Sequence, residues 1–100
     1  MYPRSKTSAF KPVICSVKPL HDQHDLLHKL KEIGYRKVTQ VQTQGEFSIR
    51  GDILDIFEMS QLEPFRIEFF GDEVDGIRIF EVETQLSKEN QTNLTIFPTL

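Results

Sequence analysis

Two periods of hydrophobicity alternate along the chain. Across residues 22–33 the apolar positions Leu26, Leu27, Leu30 and Ile33 fall at i, i+1, i+4 and i+7, one stripe on a helix. Asp22 stands where an N-cap acceptor is needed, and Asp25 favours the positive end of the helix from the first turn. Gly34 follows the last apolar position, where a left-handed residue closes a helix without a side-chain clash. Elsewhere the period is two. Val13, Cys15 and Val17 alternate with Ile14 and Ser16, and strand-like runs follow at residues 36–41, 45–50, 53–57, 65–70, 75–80 and 94–97, with Gly, Pro, Asn or Asp at most of the breaks. Gly71-Asp72-Glu73 reads as the turn of a hairpin, and LSKENQTN, residues 86–93, as a polar loop. Residues 1–12 read as a lead-in and residues 13–100 as one domain. Strands beside one main helix predict an α+β fold, a small antiparallel-rich sheet with the N-terminal helix packed on it.

Alternation also sorts side chains onto faces. In FRIEFF, Phe65, Ile67 and Phe69 take one face, and Arg66, Glu68 and Phe70 the other. Upstream, Phe47 and Ile49 oppose Ser48 and Arg50. Two arginines and a phenylalanine thus stand on outward-looking faces. Such a combination is enriched at protein–protein hot spots, where Phe fills a pocket and Arg pairs with carboxylates. The pattern leaves a second arrangement open, in which Phe70 covers the helix or a neighbouring strand while Arg66 and Glu68 form an exposed pair worth at most about 1 kcal/mol.

Composition narrows the function classes. One hundred residues, 38% hydrophobic and 27% charged, support one modest core. Twelve Lys plus Arg against fifteen Asp plus Glu give a net charge of -3, which repels a polyanion and disfavours autonomous nucleic-acid binding. Cys15 is the single cysteine, and no secretory leader pattern precedes it; a reducing, cytoplasmic setting is expected. No apolar run approaches the ~20 residues needed to span a bilayer.

Three constellations could carry other chemistry. Arg50-Gly51-Asp52 is the tripeptide of cell-adhesion ligands, yet strand formers flank it and no disulfide scaffold presents it, so it reads as a strand and turn with Gly51 at the bend. His24 and His28 share a helix face at i, i+4, with His21 nearby, but no Glu stands between them in the metalloprotease pattern, and solvated histidines are expected rather than a metal site. Asp52, Asp55 and Glu58 would have to converge to act as a small hydrolase, whereas strand residues three apart point to opposite faces. No catalytic residue and no cofactor are expected.

At GYRKVTQVQTQGEFSIRGDILDIF, PFRIEFFGDEVDGIRIF and VETQLS the chain resembles the domain shared by the excision-repair protein UvrB and the bacterial transcription-repair coupling factor Mfd. The likeness runs from Gly34 to Pro98. The Gly34-Tyr35 step, GEFS at Gly45 to Ser48 and ETQ at Glu83 to Gln85 are more similar to the coupling factor, with the UvrB domain as the alternative. Leu86 stands where Arg is frequent and Asp52 where Gly is common. The resemblance implies an inserted α+β module without ATPase machinery, whose partner is the damage-recognition ATPase UvrA. It carries the UvrA contacts onto Arg50, Arg66 and Phe70; Glu68, which alternation puts on the same face, would orient Arg66 or answer a basic group on the partner. ATP, DNA and RNA polymerase would then be engaged only by other domains of a longer, cytoplasmic protein. A DNA-binding module is the rival reading from another class.

Overall fold

The leucine stripe becomes a helix, α1 (Gln23–Glu32), in the computed structural model, which describes residues 12–17 and 22–99. Residues 1–11 of the expected lead-in, and His21, lie outside the described residues. Asp22 caps the helix by accepting the His24 N–H at 3.0 Å. At the other end Gly34 takes φ +104°, its N–H donates to the Lys31 carbonyl at 3.1 Å, and the Tyr35 N–H donates to that of Leu30 at 2.9 Å. Those two bonds form a Schellman closure, so both helix ends are set by local sequence.

The described strands are β1 (Val13–Ser16), β2 (Arg36–Lys37), β3 (Glu46–Arg50), β4 (Ile53–Ile56), β5 (Phe65–Phe70), β6 (Glu73–Phe80), β7 (Ser87–Gln91) and β8 (Asn93–Ile96). β2 to β7 form a six-stranded sheet in sequence order, antiparallel except for the parallel β2–β3 pair, and β1 pairs with β8 in a separate two-stranded ribbon. One face of the large sheet buries Phe47, Leu54, Ile56, Phe65, Ile67 and Ile77 in a cluster that includes Leu26, Leu30 and Ile33 of the helix segment and Cys15, Leu94 and Ile96 of the ribbon. This is the α+β fold that the two periods predict. Cys15 is fully buried, and burial pushes its thiol up to about 11.

Two elements differ from expectation. The run 36–41 is a strand only at Arg36–Lys37, because the chain beyond Val38 leaves the sheet and tucks Val41 against Phe57 and Phe80 on the opposite sheet face. Glu46 holds that excursion: its carboxylate accepts the N–H groups of Gln42 (2.9 Å) and Thr43 (3.1 Å) and the Arg36 guanidinium (2.6 Å). Burial opposes the charge of Glu46, but these three donors outweigh it and hold the carboxyl below its ordinary 4.5. A depressed carboxyl stabilises the fold fully above that ordinary value and loses the contribution as pH falls below it. Wild type should therefore lose more stability between neutral and acid pH than Glu46→Gln does, as read from urea midpoints. Equal losses would dismiss Glu46 as an acid-sensitive tie.

The second difference is β7, which replaces the expected loop. SKENQ has no buried face and so shows no alternation; its polar side chains suit an edge strand that must not template further pairing.

The C-terminal segment is clasped to the sheet by buried polar groups. The Tyr35 hydroxyl donates to the Phe97 carbonyl at 2.7 Å and accepts the Met59 N–H at 3.1 Å, while the fully buried Glu58 accepts the N–H groups of Ser60 and Phe97, each at 3.0 Å. Burial is the main cause that pushes the Tyr35 phenol up to about 12, which keeps its proton in place for donation. Thr99 closes the clasp so tightly that a Cβ on Gly34 would lie 2.1 Å from its Oγ1. Gly34→Ala, strained in backbone as well, should cost roughly 1–3 kcal/mol in urea unfolding.

Candidate protein-docking face

The sheet face away from α1 changes character from one end to the other. At the end where β6 finishes, Val41, Phe57 and Phe80 form a small covered cluster. Next comes a row set by strand register, Ser48, Asp55, Arg66 and Arg78, then a row of Arg50, Ile53, Glu68 and Gly76, and finally Phe70. Arg50, Arg66, Glu68 and Phe70 thus share one face, as alternation predicts. They do not share one environment.

Arg66 is a correction to the outward-looking reading. Its side chain is only 11% exposed, and its Nε and Nη2 donate to the two oxygens of Asp55, at 2.8 and 3.0 Å. The third reach of the guanidinium, Nη1, donates to the Gln85 carbonyl at 3.0 Å, and its carbon centre lies 4.4 Å from the centroid of the Phe80 ring. Gln85 presents that carbonyl from a left-handed conformation, φ 64°, inside a turn where its own N–H donates to the Glu81 carbonyl at 2.7 Å. Arg66 therefore fastens the segment between β6 and β7 onto the sheet. The Asp55 hydrogen bonds, ahead of the opposing desolvation, hold its guanidinium charged. The sequence raised Asp55 only among the candidate carboxylates and Gln85 only within ETQ; their role as partners of Arg66 arises from contacts between separate segments of the chain.

Arg50 and Phe70 are exposed. The Arg50 guanidinium, 60% exposed, comes to 3.6 Å from Asp55, within ion-pair range but beyond a hydrogen bond. It overlooks an open groove of about 480 Å³ whose walls include Thr39, Gln40, Ser48, Asp55 and Gln85. Phe70 is 76% exposed, so the arrangement in which it covers the helix or a strand does not occur. Both residues immediately precede two-residue hairpin loops, Gly51-Asp52 and Gly71-Asp72, in which glycine at φ 57° and 63° fills the first position. β3 and β5 run the same way, so the two hairpin tips lie at one end of the sheet. The Phe69 N–H ties them together by donating to the Asp52 carbonyl at 2.8 Å. Glu68 reaches Arg78 (3.9 Å) instead of Arg66.

The other candidate constellations are separate. Asp52 lies exposed in a hairpin loop, Asp55 is committed to Arg66, and Glu58 belongs to the C-terminal clasp, so the three carboxylates do not converge. His24 and His28 are exposed on α1, and no metal-holding group of three ligands occurs among the described residues. No described helix is long and apolar enough to cross a membrane.

A sheet that presents an unburied aromatic and an exposed guanidinium beside a polar groove has the composition enriched at protein–protein interfaces. The chain belongs to the UvrB interaction domain family, whose model matches residues 16–100, and is thus an interaction domain and not a catalytic one. It is similar to the transcription-repair-coupling factors of Haemophilus influenzae (43% identical over 70 residues, 70% of this chain), Staphylococcus aureus strain USA300 (48% over 75 residues, 75% of this chain) and Escherichia coli strain K12 (40% over 70 residues, 70% of this chain). In each comparison the matched segment is 6% of the relative's length.

Proposed function

We propose that this chain is a docking module that recruits UvrA to a transcription-repair coupling factor in nucleotide excision repair, with Arg50 and Phe70 as the side chains that meet the partner. The observation that carries the reading is the exposure of Phe70 at a rigid hairpin tip, on the same face as the Arg50 guanidinium. Phe70 would enter an apolar pocket on UvrA, and Arg50 would donate to a carboxylate or carbonyl there. Arg66 would act from beneath: each of its three nitrogens donates to Asp55 or Gln85, so it shapes the face that the partner meets. The names of the relatives favour transcription-repair coupling over the equivalent UvrB domain. ATP hydrolysis, DNA translocation and polymerase contact would belong to other parts of a longer protein.

Calorimetric titration of the chain into UvrA tests this. A saturable heat is expected, with weak or absent association to a short DNA duplex at low salt. No heat at several temperatures would overturn the reading, and duplex binding that falls steeply with salt would favour the DNA-binding rival instead.

A further inference from the structure

We infer that Arg78 is the second cation of the docking face and takes an acidic side chain of the partner; this rests on the docking function proposed above. Arg78 lies directly opposite Arg66 in the β5–β6 register, an arrangement of like charges that disfavours the sheet unless each is balanced. Asp55 balances Arg66 from the other side with a two-point contact. Arg78 has no equivalent. Its nearest described carboxylate, Glu68, stops at 3.9 Å, and its guanidinium makes no hydrogen bond among the described residues while remaining 43% exposed.

Glu68 aims that guanidinium without satisfying it. The Glu68 Oε1 lies 3.6 Å from where a Cβ would stand on Gly76, so the carboxylate leans across β6 towards Arg78. All three nitrogens of Arg66 are engaged within the chain, whereas Arg50 and Arg78 flank it without a hydrogen bond among the described residues. The face thus presents two available guanidinium groups on either side of a neutralised pair. The ligand is a discrete carboxylate and not a polyanion, because the chain carries a net charge of -3, Glu68 stands beside Arg78, and Glu73 lies opposite Phe70 on the same face.

The test compares UvrA titrations of wild type, Arg78→Met, Arg78→Lys and Arg50→Ala, with a thermal melt of each. Arg78→Met is expected to weaken binding at least about tenfold with its melting midpoint unchanged or raised, since it also removes a like charge beside Arg66. Arg78→Lys should recover part of that loss and restore the salt dependence that Arg78→Met flattens. An Arg78→Met affinity within about twofold of wild type, alongside weakened Arg50→Ala, would overturn the role of Arg78 alone. A melting midpoint that falls in step with affinity would also overturn it, by making Arg78 structural. If wild type fails to bind, the docking function and this inference fall together.

Discussion

Arg66→Ala is expected to cost the domain about 3–5 kcal/mol of folding stability, read as a drop in urea midpoint. The substitution strands the Asp55 carboxylate, only 3% exposed, with Arg50 at 3.6 Å as its remaining cation. It also releases the Gln85 carbonyl and uncovers the Phe80 ring. Asp55→Ala should be comparable, because it leaves the opposite charge under the same cover. Replacing both, as Asp55→Leu with Arg66→Met, should recover much of the loss, since a buried pair exchanged for apolar residues of similar volume is often close to neutral. If Arg66→Ala costs less than about 1 kcal/mol, the pair behaves as a solvated surface bridge and the anchoring role is wrong. Weak UvrA binding by an Arg66 variant therefore identifies a contact only after its fold has been measured.

Phe70→Ala and Arg50→Ala separate affinity from folding in the opposite sense. Each should weaken UvrA binding by about 2 kcal/mol or more, roughly thirtyfold, while unfolding stability stays within about 0.5 kcal/mol of wild type. Phe70 is too exposed to contribute to the core, and Asp55 keeps its contact with Arg66 when Arg50 is shortened. Removing Phe70 abolishes whatever pocket contact it makes on the partner and uncovers nothing here. Should both variants bind like wild type while wild type binds well, UvrA docks on some other surface of the domain.

The helix was legible because every signal that makes it is local: the leucine spacing, Asp22 at one end and Gly34 at the other. The sidedness of β3 and β5 was legible for the same reason, since alternation needs no knowledge of neighbours. What covers a face is another matter. Asp55 meets Arg66 through strand register eleven residues away, and Gln85 arrives over it from a turn whose left-handed residue is not glycine. Nothing in composition marks that turn. β7 escaped detection because an edge strand polar on both sides has no period, and β2 was overdrawn because the chain beyond Val38 leaves the sheet to bury Val41 against Phe57 and Phe80. Arg78 was hidden by irregular pairing: β6 shifts register opposite Glu68 and Phe69, so Val74 and Ile77, three apart, are both buried. Simple alternation loses its phase there.

The paired hairpin tips bear on how a complex would form. Arg50 and Phe70 sit where the backbone is held on both sides of a two-residue loop, and the Asp52 carbonyl joins one tip to the other. Little backbone ordering entropy is left for a partner to impose on them, so association should proceed as an encounter of preformed backbones, on the order of 10⁵–10⁷ M⁻¹s⁻¹. Variants at these tips would then meet UvrA about as often as wild type does and differ in how long they stay.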